Sequence, residues 1–316
     1  MTDRLPVGVI GVGSMGQHHA RVYQELPSAE LVGVADVDAE AAAETAAQYG
    51  TTPTSVDSLL STAAAVSIAV PTPYHYDTAM AAIEAGVGLL IEKPIAEEPA
   101  QGRELLVAAE EAGVTLQVGH IERFNPAVRT LETVATDLDV IAVDSQRLGP
   151  PAGREIADGV ATDLMIHDAD VLLSLVDEPV ADVYAAETAD DQYVAATVAF
   201  ESGVVATLTA SRVTQQKVRT LSITAESCRV TVDYIDQSVR INRHSLPEYV
   251  ETDGEVRYRH ENVVEQPTVE NGEPLKKELT AFVEAVRTGS EPVVTAADGV
   301  RALELVQRVE AVAERE

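Results

Sequence analysis

Tryptophan is absent, cysteine occurs once, and only four lysines stand in 316 residues. A lone Cys228 excludes an internal disulfide and fits a reducing compartment. No apolar run approaches the length that spans a bilayer, so no helical membrane anchor is expected. The first strand signal begins within a few residues of Met1, which leaves no room for a signal peptide and points to the cytoplasm. Aromatic residues make up only 4%, so the core must be built from Ala, Val, Leu and Ile. The shortage of base is severe: Lys+Arg 22 against Asp+Glu 52 gives a net charge of −30. Such a surface repels phosphate backbones and anionic lipids, which argues against nucleic acid and membrane partners. The acids are spread along the whole chain and form no single tail. That pattern fits life at high salt, where screening suppresses self-repulsion, better than one acidic face for a basic partner.

Apolar residues, at 46%, are those of an ordinary globular protein, and the length favours two domains. The chain is organised around one stretch near its start. Val7, Val9 and Ile10 form a buried-strand run, followed by Gly11, Gly13 and Gly16 at the G-x-G-x-x-G spacing and then a helix signal. Gly11 permits the tight turn, Gly13 lets backbone approach a pyrophosphate, and Gly16 lets the helix pack close to the strand. The helix start supplies N–H groups to the phosphate charge, with Ser14 and Met15 in the same loop. A second strand ends at Asp36, 20 residues after Gly16, where a carboxylate binds ribose hydroxyls. The bland alternative is a glycine-rich turn with a surface Asp, but strand, spacing, helix and acid agree on a dinucleotide site.

Strand and helix signals alternate through about residue 120. Strands are expected at 64–70, 87–91 and 114–118, and helices at 39–48, 74–85 and 97–112. This predicts a doubly wound parallel sheet, a Rossmann domain over 1–120. The periodicity then changes. A helix at 126–136, a strand at 140–148 and a helical stretch at 159–176 precede alternating runs at 193–200, 204–210, 218–224, 229–234 and 238–241. Two final helices are expected at 275–287 and 296–314, after an acidic loop with one weak strand at 247–274. Residues 121–316 are therefore expected to form an α+β domain on a large, mostly antiparallel sheet.

Ligands of doubly wound sheets sit outside the carboxyl ends of the strands. The candidates there, beside the glycine loop and Asp36, are Val70, Pro71 and Thr72, with Glu92 and Lys93. A lysine at a strand end beside a bound nicotinamide can steady a developing alkoxide; the alternative is a surface pair with Glu92. His75 either lines the cofactor cleft or caps a helix, and His18 and His19 are structural or line the phosphate turn. A second cluster contains Asp163, His167 and Asp170. On a helix Asp163 and His167 share a face, and His is the natural base for a hydroxyl proton near neutral pH. No further His or Cys lies nearby, so no metal is expected; a plain surface pair is the other alternative. His120, where the two blocks meet, is either a substrate contact or a hydrogen-bonded hinge.

Taken in order, Gly11-Val-Gly-Ser-Met-Gly16, Glu92-Lys93-Pro94, Asp163-x-x-x-His167-x-x-Asp170 and the late Asp298-Gly-Val-Arg-Ala-Leu-Glu-Leu305 resemble the glucose–fructose oxidoreductase / inositol dehydrogenase / MocA (Gfo/Idh/MocA) family. The resemblance implies reversible oxidation of a secondary alcohol of a sugar or cyclitol, with Lys93, Asp163 and His167 as the catalytic set. It also implies a homodimer or homotetramer built through the C-terminal sheet. Asp36 without a neighbouring Arg favours NAD, with NADP possible. The segment 118–126 and the run 147–150 resemble members that oxidise the 3-hydroxyl of UDP-N-acetylglucosamine. By that likeness His120, Arg123, Asn125, Arg147, Arg154 and His167 are substrate-binding candidates. Ala161-Thr162 departs from the family, where glycine or apolar residues precede the Asp. The rival readings are a free-sugar or inositol dehydrogenase and a non-catalytic NAD sensor, which would need neither Lys93 nor His167.

Overall fold

The computed structural model describes residues 4–136, 138–151, 158–188, 192–244, 248–252, 255–259 and 262–314. The chain divides into two compact units, Met1–Phe124 with Gly272–Leu305, and Asn125–Asn271 with Val306–Glu316. The boundary expected at residue 120 thus falls after Phe124, and residues 272–305 return to the first unit.

The first block runs β1 (Leu5–Ile10), α1 (Ser14–Glu25), β2 (Ala29–Ala35), α2 (Ala39–Tyr49), α3 (Val56–Leu60), β3 (Ala65–Ile68), α4 (His75–Glu84), β4 (Gly88–Glu92), α5 (Pro99–Ala112) and β5 (Leu116–Gly119). All pairings are parallel, in the order β2-β1-β3-β4-β5. The strands read as continuous apolar runs because helices cover the sheet. Local chemistry ends the helices where expected: Asp38 caps α2 by accepting from the Glu40 and Ala41 amides, and Gly50 and Gly113 close α2 and α5 in the left-handed region.

In the second block α6 (Pro126–Ala135) leads into β6 (Val140–Leu148), α7 (Ile166–Leu175), β7 (Val180–Glu187), β8 (Tyr193–Phe200), β9 (Val205–Ser211), β10 (Val218–Ala225), β11 (Cys228–Asp233) and β12 (Ser238–His244). Three short strands follow, β13 (Glu248–Thr252), β14 (Glu255–Arg259) and β15 (Asn262–Glu265), where the sequence suggested loop with one weak strand. The acidic, proline-containing composition of the stretch outweighed the local hairpin signal of Asp253-Gly254 and the alternation of Glu255–Arg259. The large sheet has the order β15-β12-β11-β10-β6-β9-β8-β7. Every pairing in it is antiparallel except β6 with β9.

The chain ends in α8 (Pro274–Thr288) and α9 (Ala296–Ala313). Helix α8 belongs to the first unit for a clear reason. Leu275, Leu279, Phe282 and Val283 are buried in one cluster with Val7 and Val9 of β1, Tyr23 of α1 and Leu90 of β4. Each such side chain contributes about 2 kcal/mol through burial. Those four positions follow helical spacing, so α8 packs beside α1 on the same face of the parallel sheet.

Candidate active site

The glycine loop comes first. Gly11 has φ +87° and its amide donates to the Ala35 carbonyl at 2.8 Å, which joins the loop to the end of β2. A Cβ on Gly16 would lie 1.8 Å from the Gly11 carbonyl oxygen, so only glycine lets α1 start there. Around Gly13 nothing stands within 4 Å of a Cβ position. Gly13 precedes the first turn of α1, whose free amides no side chain caps. Ser14 and Met15 are exposed on the same turn.

Asp36 holds this loop. Its Oδ2 accepts from the Val12 amide at 2.7 Å and its Oδ1 from the Asp38 amide at 2.9 Å. Each carboxylate oxygen keeps acceptor capacity for a ribose hydroxyl. Asp38 stands beside it, and two carboxylates disfavour a 2′-phosphate. An open cradle lined by amides with an acceptor pair at its rim fits a dinucleotide. Gly11, Gly13, Ser14, Met15, Gly16 and Asp36 would hold it.

The strand ends carry the other groups. Val70, Pro71 and Thr72 follow β3, and Lys93, half-buried, follows β4. Glu92 is buried, and its Oε1 lies 2.9 Å from Nε2 of His19, which is fully buried on α1. Glu92 is therefore engaged inside the unit, and a surface pairing with Lys93 does not describe it. His19 is structural in this sense, whereas His18 is exposed. His75 is buried with its ring nitrogens against two backbone carbonyls, of Pro94 and Val70, so it straps the site together and does not line it. His120 follows β5, whose Gly119 pairs in register with Glu92, so His120 emerges beside Lys93. It is fully buried, and neither ring nitrogen has a partner among the described residues. Burial first, then the charges of Lys93 and Arg123, push its pKa down to about 3, so it stays a neutral imidazole at pH 7. Arg123 is half-buried in the turn after it.

The second unit presents Asp163 and His167 on a different backbone from the plain helix expected. Residues Ala161–Met165 form a π turn that runs into α7, and the Ile166 amide bonds back to the Ala161 carbonyl. Single π turns inside helices recur at functional sites. Two side chains hold this one. Arg212, at the end of β9, donates from Nη2 to Asp163 Oδ2 at 2.8 Å and to the Asp158 carbonyl at 3.0 Å. Glu310 Oε1 accepts from the Thr162 amide at 3.1 Å and from its hydroxyl at 2.7 Å. Thr162, the departure from the family pattern, thus has a local reason: its hydroxyl completes that grip. His167 is half-buried one turn beyond Asp163.

Two expected substrate contacts have other work. Arg147 is 4% exposed and grips Asp168 of α7 with both arms, Nε–Oδ2 2.5 Å and Nη2–Oδ1 3.2 Å, with its guanidinium 5.5 Å from the Tyr234 ring centre. It fastens α7 to β6, and removing one partner of such a buried pair costs about 3–5 kcal/mol. Asn125 caps α6, accepting from the Ala127 amide and donating to the Tyr234 carbonyl. Arg154 lies outside the described residues. Among the described residues no group of three or more His, Cys, Asp or Glu is placed to hold a metal ion, and no helix is long and apolar enough to cross a membrane. Arg212 and Glu310 escaped the sequence reading, and so did the pairing of Asp168, which lies inside the Asp163–Asp170 stretch. Their partners lie 49, 148 and 21 residues away, and no motif carries those contacts.

Comparison with known proteins adds to this geometry. A model described as oxidoreductase family, NAD-binding Rossmann fold, matches residues 5–120, and one described as oxidoreductase family, C-terminal alpha/beta domain, matches residues 149–315. The chain is 36% identical over 239 residues to UDP-N-acetylglucosamine 3-dehydrogenase of Acidithiobacillus ferrooxidans, covering 74% of this chain and 75% of that one. A solved structure of the A. ferrooxidans dehydrogenase superposes with a TM-score of 0.91 at 31% identity, over 99% of this chain and 98% of that one. Inositol 2-dehydrogenase of Rhizobium meliloti is 26% identical over 327 residues, covering 98% of this chain and 97% of that one.

Proposed function

The chain belongs to the Gfo/Idh/MocA oxidoreductase family, and from that membership we propose that it oxidises the 3-hydroxyl of UDP-N-acetylglucosamine with NAD as cofactor. It is an NAD(P)-binding oxidoreductase by its fold and its glycine loop. The observation that carries the finer reading is the 36% identity to the A. ferrooxidans enzyme over three quarters of both chains. The preference for NAD rests on Asp36 and Asp38, which would repel a 2′-phosphate.

Bound NAD supplies a hydride acceptor. The protein's own part is proton and charge management. Lys93 donates to the reacting oxygen and offsets its developing negative charge. His167 takes the hydroxyl proton, a task suited to an imidazole near neutral pH. Asp163, fixed by Arg212, keeps a negative charge near the base that becomes positive. His120 stays neutral beside Lys93 and offers the sugar a donor and an acceptor. Arg123 supplies positive charge to a phosphate-bearing substrate.

The outer face of the large sheet supports assembly of like chains. Tyr184 and Val205 are exposed there while alternate residues of β8 and β9 are buried. A homodimer or homotetramer through that face is expected by light scattering.

NADH formation in molar KCl tests the function. UDP-N-acetylglucosamine is expected to support turnover well above glucose, xylose and inositol. Turnover with inositol alone would favour the polyol dehydrogenase reading. NAD binding without turnover on any of these would favour a sensor. Lys93→Met is expected to abolish turnover and keep NAD binding.

A further inference from the structure

His75 opens α4 and is 1% exposed. Its Nδ1 lies 2.7 Å from the carbonyl oxygen of Pro94, and its Nε2 lies 2.9 Å from the carbonyl oxygen of Val70. A carbonyl oxygen accepts hydrogen bonds and has no proton to give. Neutral imidazole has one N–H, and its other nitrogen presents a lone pair. Either tautomer therefore satisfies one carbonyl and sets lone pair against lone pair at the other, at hydrogen-bonding distance. Only the imidazolium donates from both nitrogens. We propose that His75 is a doubly protonated positioning residue that ties the end of β3 to the segment carrying Lys93.

The placement of the two carbonyls gives the strap its purpose. Val70 lies two residues past β3, and Pro94 lies two residues past β4, directly after Lys93. β3 and β4 are neighbours in the sheet, and α4 packs on both. His75 thus bridges the two strand ends from below and sets the backbone from which Lys93 projects. Among the described residues, the ionisable groups nearest the start of α4 by sequence or strand pairing include Tyr74 in the turn before it, Tyr76 and Asp77 on it, Glu92 and Lys93 on the β4 side, and Glu104 on α5. Of the carboxylates, Glu92 is engaged with His19 and Glu104 accepts from the Tyr76 hydroxyl. The positive end of α4 and burial oppose a charge on His75, and Asp77 in the first turn offsets the helix end. Two charge-assisted bonds to carbonyls supply what a neutral ring cannot.

The link to catalysis rests on the reading of Lys93 given above, whereas the protonation state does not. Neutron diffraction from deuterated crystals at pD 7.5 tests the latter on the unaltered protein. Deuterium on both Nδ1 and Nε2 of His75 is expected, and deuterium on one alone overturns the proposal. In solution, 15N NMR of histidine-labelled protein, assigned by difference against His75→Gln, is expected to show two protonated ring nitrogens at pH 7. A pyridine-type nitrogen signal from His75 overturns it equally. His75→Gln replaces two donors on opposite sides of a ring by one NH2 group, whose two N–H bonds leave from a single nitrogen. It is expected to lower kcat about tenfold, since a misplacement of about 1 Å costs on the order of 100-fold, with KM for NAD changed less. An unchanged kcat would remove the positioning role, and failure of the UDP-sugar reading alone would leave the neutron result untouched.

Discussion

Arg212 donates to Asp163 across 2.8 Å, an ion pair formed within one unit by residues 49 positions apart. The guanidinium side chain is 9% exposed and the carboxylate 22%, so the pair is largely shielded from water. The same arm bonds the Asp158 carbonyl, which fixes its direction. Arg212→Leu leaves the Asp163 charge without this partner. A stability loss of about 2–3 kcal/mol is expected in urea unfolding, together with a fall in turnover. Arg212→Lys keeps the charge and loses the fork, so it is expected to recover stability more than turnover. Turnover unchanged in both variants would show that catalysis does not depend on how Asp163 is held.

Two glycines three residues apart make opposite predictions. A Cβ on Gly16 would overlap the Gly11 carbonyl at 1.8 Å, so Gly16→Ala must move backbone. A loss above about 3 kcal/mol, or failure to fold, is expected despite the roughly 1 kcal/mol that alanine adds to helix propensity. Gly13 is extended, at φ −63° and ψ −164°, with open space beyond it. Gly13→Ala is expected to melt within a few degrees of the parent and to weaken NAD binding on the order of tenfold or more by titration calorimetry. Undiminished NAD affinity in Gly13→Ala would place the cofactor elsewhere.

The contrast marks what a sequence can show. The parallel sheet, the glycine loop and Asp36 were legible because neighbours in sequence make them: a strand, a turn and a helix start within a dozen residues. Lys93 was legible as a scarce residue at a strand end. The hold on the second cluster was not. Arg212 reaches Asp163 from β9, Glu310 reaches Thr162 from α9, and tertiary packing alone brings them together. Arg147 shows the converse error. A basic residue beside Gly149 and Pro150 read as a substrate contact, yet its partner Asp168 lay inside the very cluster singled out for chemistry. The hairpin β13–β14 was overlooked although Glu255-Val-Arg-Tyr-Arg259 alternates and Asp253-Gly254 is a hairpin-turn pair in the sequence; the acidic, proline-containing composition of the whole stretch outweighed that local signal.

The acidic surface carries its own expectation. With a net charge of −30 in 316 residues, self-repulsion acts against the folded chain at low ionic strength. The Debye length shrinks from about 30 Å at 0.01 M to about 3 Å at 1 M salt, which removes most of that repulsion. The melting temperature is expected to rise by ten degrees or more between dilute buffer and molar KCl. A melting temperature flat across the series would assign the acids to another purpose.

His120 ties stability to pH through its own burial. In the folded chain it titrates at about 3, because burial and the nearby charges of Lys93 and Arg123 disfavour the imidazolium. In the unfolded chain it protonates near the ordinary value of about 6.5. Between those values the unfolded state binds the extra proton, so this contribution is fully present above about pH 6.5 and is lost as pH falls toward 3. From pH 7 to pH 5 the parent is expected to lose about 2 kcal/mol more than His120→Gln, whose side chain does not titrate. Urea unfolding of both proteins in molar KCl measures the difference, and the many carboxylates cancel because they are common to both. The same variant separates recognition from structure. Gln retains a donor and an acceptor beside Lys93, so KM for the sugar is expected to rise more than kcat falls. Equal pH slopes for the two proteins would mean that His120 meets water or a proton in the folded state, and its neutrality at the site could no longer be argued.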